Sequence, residues 1–219
     1  MKSIVILSGG MDSTVSLHIA TEKTEVVLTL TFDYGQKAAR REISAAQAVS
    51  RHYGVPNRVI ELPWLAEITT TALVNHSEAV PLLPPHELDT HLAVDSAKAV
   101  WVPNRNGVFI NVAAAFAESM GADQIITGFN AEEAITFPDN SLMFIESAKK
   151  SLHYSTLNHV SVVSYTQALS KVGIVQLARE KKVPLHLAWS CYLGGEQPCG
   201  TCESCRRYQR AVNSADAHV

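Results

Sequence analysis

The sequence predicts an α/β fold, a parallel sheet with helices on both faces. Three observations predict it. Apolar runs of strand length alternate with helical patterns along most of the chain. The first run, Ile4-Val5-Ile6-Leu7, is apolar at every position, as a strand covered on both faces must be. A glycine–serine turn follows it and leads directly into a helix. The 219 residues suffice for one domain with a small appendage, burying about 70% of the unfolded surface. A net charge of −3 gives no general attraction to nucleic acid or anionic membrane, so neither partner is expected. No apolar run approaches the ~20 residues that span a bilayer. Residues 1–13 lack a basic leader with a cleavage site, so a cytoplasmic location is expected.

The elements follow in order. Thr14 to Lys23 reads as a helix with Val15, Leu17 and Ile19 inward. Val26 to Phe32 is a second strand, ending in Asp33-Tyr34-Gly35-Gln36. Ala38 to Tyr53 is a helix closed by Gly54, and Arg58 to Leu62 a short strand stopped by Pro63. Residues 74–100 carry Pro81, Pro84 and Pro85 and little periodicity. They read as a long irregular stretch serving as a lid or a dimer contact. Val108 to Met120 is apolar on nearly every side and predicts a helix covered all round. Gln124 to Gly128 is the fourth strand, and 129–140 a loop. Ser141 caps a helix with Leu142, Ile145, Ala148 and Leu152 on one face. Val160 to Val163 is the fifth strand, and Ser170 caps a helix from Lys171 to Lys182. Residues 1–185 read as the α/β domain and 186–219 as a tail packed on it.

Chemistry concentrates at Ser8-Gly9-Gly10-Met11-Asp12-Ser13. A turn between a strand end and a helix start offers unpartnered amides and a positive dipole, which suit a phosphate. Gly9 and Gly10 are read as letting the backbone approach the anion. Ser8 and Ser13 supply hydroxyl donors. Asp12 next to an anion makes sense with a magnesium ion between them. The string lacks the G-K-[ST] of a Walker loop and is not G-x-G-x-x-G.

All four cysteines lie near the end, as C-x7-C-x2-C-x2-C: Cys191, Cys199, Cys202 and Cys205. Four thiolates complete a tetrahedral zinc shell of the structural kind. An iron–sulfur cluster uses the same ligands, and spacing alone does not separate the two. A disulfide framework does not fit the clustering. Zinc is the expectation, with His186 and His218 read as surface residues.

The turn resembles the PP-loop of the ATP pyrophosphatases. Together with F-D-Y-G-Q at 32–36, V-P-N-R-N at 102–106 and the four-cysteine tail, it resembles the 7-cyano-7-deazaguanine synthase family. The resemblance runs from about residue 3 to about residue 212. It implies an ATP-dependent ligase that converts 7-carboxy-7-deazaguanine and ammonia to the nitrile through an adenylate and an amide. A related ligase stopping at the amide is the alternative. It also implies a homodimer. Leu7, Ser8, Gly9, Gly10, Met11, Asp12, Ser13 and Thr14 would hold ATP, with Asp33, Tyr34 and Gly128. Asp12, Ser13, Arg105 and Lys171 would be catalytic. Arg105, Asn106, Phe137 and Asp139 would bind the substrate. Lys171 begins a helix, where a cation opposes the dipole, and this favours a phosphate partner. Asp33 and Tyr34 read equally as shaping a turn. Two departures stand out: Asn104 where the family pattern has glycine, and N-A-E-E-A-I-T-F-P-D-N-S at 130–141 in place of D-Y-S-G-Y-P-D-C-R. Glu132 and Glu133 there read either as partners of guanine-like N–H groups or as solvated loop charges.

Overall fold

The computed structural model describes residues 1–88 and 90–217. Among them, β1 (Lys2–Ile6), β2 (Glu25–Asp33), β3 (Asn57–Glu61), β4 (Gln124–Thr127) and β5 (Ser161–Ser164) form one sheet. Its order is β3-β2-β1-β4-β5, and every neighbouring pair is parallel. The alternation of side chains sorts β1 between two cores. Ile4 joins Ile125, Val162 and the inner residues of α5 (Arg105–Ser119) and α6 (Leu142–Ser155). Val5 joins Leu17 and Ala20 of α1 (Met11–Lys23) and Ala46 and Val49 of α2 (Ala39–His52). Both faces are thus covered, which is why β1 is apolar throughout. The first three strands step one way and β4–β5 the other, so the sheet switches direction between β1 and β4. Ligands of such sheets bind at this crevice.

Among the described residues, no helix is long and apolar enough to cross a membrane. α3 (Trp64–Glu67) is one turn. The stretch expected to be irregular contains α4 (His91–Ala99), opened by Thr90, whose side chain accepts the Leu92 N–H at 3.3 Å. Its buried face includes Ser96 and Ala97, too weak an apolar signal to register as periodicity. α5 starts earlier than expected and is not covered all round, since Asn111, Ala115 and Met120 beyond its end are exposed. Alanine-rich sequence looks buried on every side because alanine tolerates either environment. On α6, Leu142 is 57% exposed, while Ile145 and Leu152 enter the core. α7 (Lys171–Glu180) and α8 (Glu203–Asp216) pack together against α1 through Ile174, Val175, Ala211 and Ala215. His186 is exposed. His218 lies outside the described residues.

Candidate active site

The loop after β1 delivers Gly10 to the start of α1 in an extended conformation, with no side chain capping the helix. The first-turn amides of Met11, Asp12 and Ser13 have no partner within the helix. Ser13 Oγ donates to the Gly10 carbonyl at 3.1 Å and lies 3.1 Å from Ser8 Oγ. Gly9 has a reason beyond the one expected. Its φ is +81°, and a Cβ there would meet the Glu42 carbonyl at 2.6 Å and Ala46 N at 2.8 Å. Gly9 therefore lets the loop press against α2. Gly10 remains open, with Ser8 Oγ 3.4 Å from a Cβ added there. Across the switch point, a Cβ on Gly128 would meet Ser13 N at 2.7 Å, so the loop after β4 touches the start of α1.

Lys171 answers Asp12. Its ammonium pairs with Asp12 Oδ2 and, at 2.6 Å, with Glu133 Oε1. Asn130 Nδ2 also donates to Asp12 Oδ2, at 3.3 Å. The helix-start lysine is thus balanced by two carboxylates, a partnership invisible at sequence separations of 159 and 38 residues. Burial raises Asp12 to about 6, Lys171 pulling the other way and Glu133 adding to the rise. Burial also opposes the charge of Lys171, but Asp12 and Glu133 outweigh it and hold the lysine above its ordinary value. Burial opposes ionisation of Glu133 too, and Lys171 holds it below the usual range. Asp12 Oδ1 is buried without a hydrogen-bond partner. An unsatisfied carboxylate oxygen beside an anion cradle fits a hard divalent cation.

Glu132 corrects both readings made of it. It is neither solvated nor aimed at a ligand. Oε1 accepts from Arg207 at 2.9 Å and from Arg210 at 2.6 Å, and Oε2 accepts the Lys171 N–H at 3.2 Å.

The opposite wall comes from α5 and the loop after β2. Asn104 adopts φ +50°, a left-handed conformation that asparagine tolerates and glycine adopts freely. This accounts for the first departure. Arg105 follows it and donates to Tyr34 Oη at 3.0 Å, its guanidinium 5.5 Å from the Tyr34 ring centre. Asp33 Oδ1 accepts the Gly35 N–H at 3.1 Å and so shapes the turn that carries Tyr34. Asn106 is buried. Phe137 lies nearly parallel to Trp101, ring centres 6.3 Å apart.

The four cysteine Sγ atoms lie within 4.8 Å of one another. Backbone amides point at the sulfurs: Leu193 and Cys199 at Cys191 Sγ (3.3 and 3.4 Å), Thr201 and Cys202 at Cys199 Sγ (3.5 and 3.3 Å). Burial raises Cys199, but the amides of Cys202 and Thr201 outweigh it and bring the thiol to about 6. Such donors favour thiolates, and the set can hold a metal ion with no open position.

These parts meet in a cavity of about 260 Å³ beyond the carboxyl ends of β1, β2 and β4. Leu7, Ser8, Gly10, Met11, Asp12, Ser13, Tyr34, Arg105, Asn106, Gly128, Phe137 and Lys171 line it. Gly9, Thr14, Asp33 and Asp139 are not among its lining residues. Glu133, read as a ligand partner or a solvated charge, lines the cavity paired with Lys171; sequence reasoning missed Glu42, and also Trp189, Ser190, Tyr192, Ser204 and Tyr208, which come from the tail. Only the nearness of Trp189 to the first cysteine could have suggested the last group.

A family model described as queuosine biosynthesis protein QueC matches residues 2–216. A 7-cyano-7-deazaguanine synthase of Pelotomaculum thermopropionicum is 57% identical over 216 residues, covering 98% of this chain and 98% of that one. Another, of Methanosarcina mazei, is 50% identical over 218 residues, 98% of this chain and 94% of that one. Among solved structures, an NMN synthetase of Francisella tularensis matches with a TM-score of 0.50 over 98% of this chain and 85% of its own. At 13% identity that is a likeness of fold alone. The chain belongs to the QueC family of queuosine biosynthesis proteins.

Proposed function

We propose that this chain converts 7-carboxy-7-deazaguanine and ammonia to 7-cyano-7-deazaguanine, driven by ATP. One observation carries the reading. The uncapped start of α1, the Lys171 ammonium and the Arg105 guanidinium open into a single cavity. An anionic tail and a carboxylate can therefore lie side by side.

A carboxylate is a poor electrophile because hydroxide is a poor leaving group. Its oxygen attacks the α-phosphorus of ATP, and the bond to pyrophosphate breaks. The α1 amides and the Ser8 and Ser13 hydroxyls stabilise the leaving pyrophosphate. Lys171 trades a carboxylate for a phosphate oxygen. Asp12 would hold magnesium through Oδ1, and the bound ion would neutralise phosphate charge. Arg105, Asn106 and Asp139 would orient the substrate carboxylate and its neighbours, with Phe137 against the ring. Ammonia then attacks the acyl carbon, AMP leaves with the electron pair, and a proton is lost. The amide oxygen attacks the α-phosphorus of a second ATP, pyrophosphate leaves, and one nitrogen-bound proton is lost. Loss of AMP and the last nitrogen-bound proton gives the nitrile. One site serves both steps because both transfer AMP to an oxygen on the same carbon.

In this reading residues 186–219 form one working unit with residues 1–185, since the tail walls the cavity. Zinc in the cysteine cluster is structural, and the reduced thiols suit a cytoplasmic setting. A homodimer would draw on exposed apolar residues such as Leu142, Met143 and Tyr154 of α6. The test is incubation with ATP, ammonium and 7-carboxy-7-deazaguanine, with products read by mass. Nitrile formation coupled to AMP and pyrophosphate is expected. Amide accumulating without nitrile would overturn the dehydration half.

A further inference from the structure

The tail does more than wall the cavity. Cys202 stands at the N-cap position of α8 and Cys205 lies in its first turn, so the cysteine cluster anchors the start of that helix. Two residues further on, Arg207 reaches three acceptors among the described residues. Nε donates to buried Glu203 at 2.9 Å, Nη2 to the Leu88 carbonyl at 2.8 Å, and Nη1 to Glu132 at 2.9 Å. Glu203 in turn accepts from Ser96 of α4 at 2.6 Å. Arg207 and Glu203 are 7% and 1% exposed, so this is interior wiring rather than a surface ion pair. Glu132 passes the connection on. Its second oxygen accepts the Lys171 N–H, and the next residue, Glu133, pairs with the Lys171 ammonium.

We propose that Glu132 is a positioning residue, which clamps Lys171 and Glu133 to α8 and so fixes where the Lys171 ammonium meets the triphosphate. The proposal rests on the ATP reading above. Lys171 has four rotatable side-chain bonds, and its backbone belongs to the first residue of a helix, where few other bonds hold it. A clamp at that N–H fixes the point from which the side chain extends, and Glu133, next to Glu132, holds its far end. The wiring also makes the cysteine cluster and the phosphate cradle parts of one rigid unit.

Glu132→Gln keeps length and an acceptor but removes the charge that holds two arginines. The KM for ATP is expected to rise about tenfold, the loss typical of a slightly misplaced group. The KM for the carboxylated deazaguanine should not change. Affinity for a non-hydrolysable ATP analogue, by titration calorimetry, should fall by the same factor. Arg207→Lys, which keeps charge but cannot span three acceptors, should show the same split. Adding Glu132→Gln to Lys171→Met should weaken analogue binding no further, because Glu132 acts through Lys171. Lower melting temperatures with unchanged ATP KM and analogue affinity in both variants would make Glu132 a fold-stabilising ion pair only, and overturn the proposal. A wild-type chain that does not bind the analogue would overturn the ATP reading itself, and this proposal with it.

Discussion

Trp189 donates its backbone N–H to the Gly9 carbonyl at 2.8 Å, which stitches the entry to the cysteine cluster onto the loop after β1. Two further contacts reinforce the seam. Arg41 Nε donates to the Gly195 carbonyl at 2.7 Å, and Gly194 lies where a Cβ would be 2.5 Å from the Lys37 carbonyl. Metal binding and nucleotide binding should therefore be linked. Closed four-cysteine sites supply an apparent ~10–16 kcal/mol, enough to decide whether the tail is ordered. Cys202→Ser is expected to lose the bound metal and the hydrogen-exchange protection of residues 189–205. Analogue affinity should drop at least about tenfold through the lost contacts. Unchanged affinity in a chain whose tail exchanges freely would sever the link.

Asp12 gives a pH signature with two opposite signs. Burial raises it from 3.8 to about 6. Between those values the folded chain holds a proton that the unfolded chain has lost. Its contribution to stability therefore falls as pH rises through that window. Nucleotide binding with magnesium needs the ionised form. Affinity should weaken below pH 6, approaching a tenfold loss per unit. Calorimetry with the ATP analogue and magnesium from pH 5 to 8 would show the slope, and Asp12→Asn should flatten it. An identical slope in that variant would assign the proton to another group.

What was legible in the sequence follows from the range of each signal. The PP-loop is local, with strand, turn and helix contiguous, so Ser8 to Ser13 could be placed without coordinates. The cysteines carry their own spacing. The roles of Lys171, Glu132 and Glu133 depend on partners far along the chain, and a charged residue in a loop gives no sign of its partner. Glu132 read as a ligand partner or a solvated charge for that reason. Gly9 could be recognised as necessary, but the obstacle that demands it belongs to α2. The tail residues lining the cavity were hidden because a metal-binding segment reads as an appendage until its fold-back is known.

The three glycines at the switch point should separate fold from function. Gly9→Ala places a Cβ in a left-handed conformation and against backbone atoms at 2.6 and 2.8 Å. It should destabilise the chain by about 2–4 kcal/mol. Gly128→Ala meets Ser13 N at 2.7 Å and Ser13 Cα at 2.8 Å, which only backbone movement can relieve. It should cost about 1–3 kcal/mol and disturb the amides that face the phosphates. Gly10→Ala has room, its nearest neighbour 3.4 Å away, and its φ is an ordinary −77°. Its melting temperature should stay near wild type while ATP affinity falls, because the new methyl borders the cavity. Equal stability losses in all three, by thermal unfolding, would contradict this division.

Tyr34 and Arg105 decide which ligand the α5 wall serves. Burial pushes the Tyr34 phenol up to about 12, so it meets Arg105 as a neutral acceptor throughout the working range. Tyr34→Phe keeps the ring beside the guanidinium and removes only the oxygen. A hydrogen bond to a charged group contributes about 1.5–3 kcal/mol, so a loosened Arg105 should raise the KM for the carboxylated substrate by about tenfold or more. Arg105→Lys loses the planar fork as well and should cost more, because a single ammonium cannot hold a carboxylate through two parallel bonds. The ATP KM should stay within about twofold of wild type in both, well short of the tenfold change that 1.4 kcal/mol would bring. Steady-state kinetics with each substrate varied in turn makes the assignment. If the ATP KM moves instead, Arg105 belongs to the nucleotide, and another cation must receive the carboxylate.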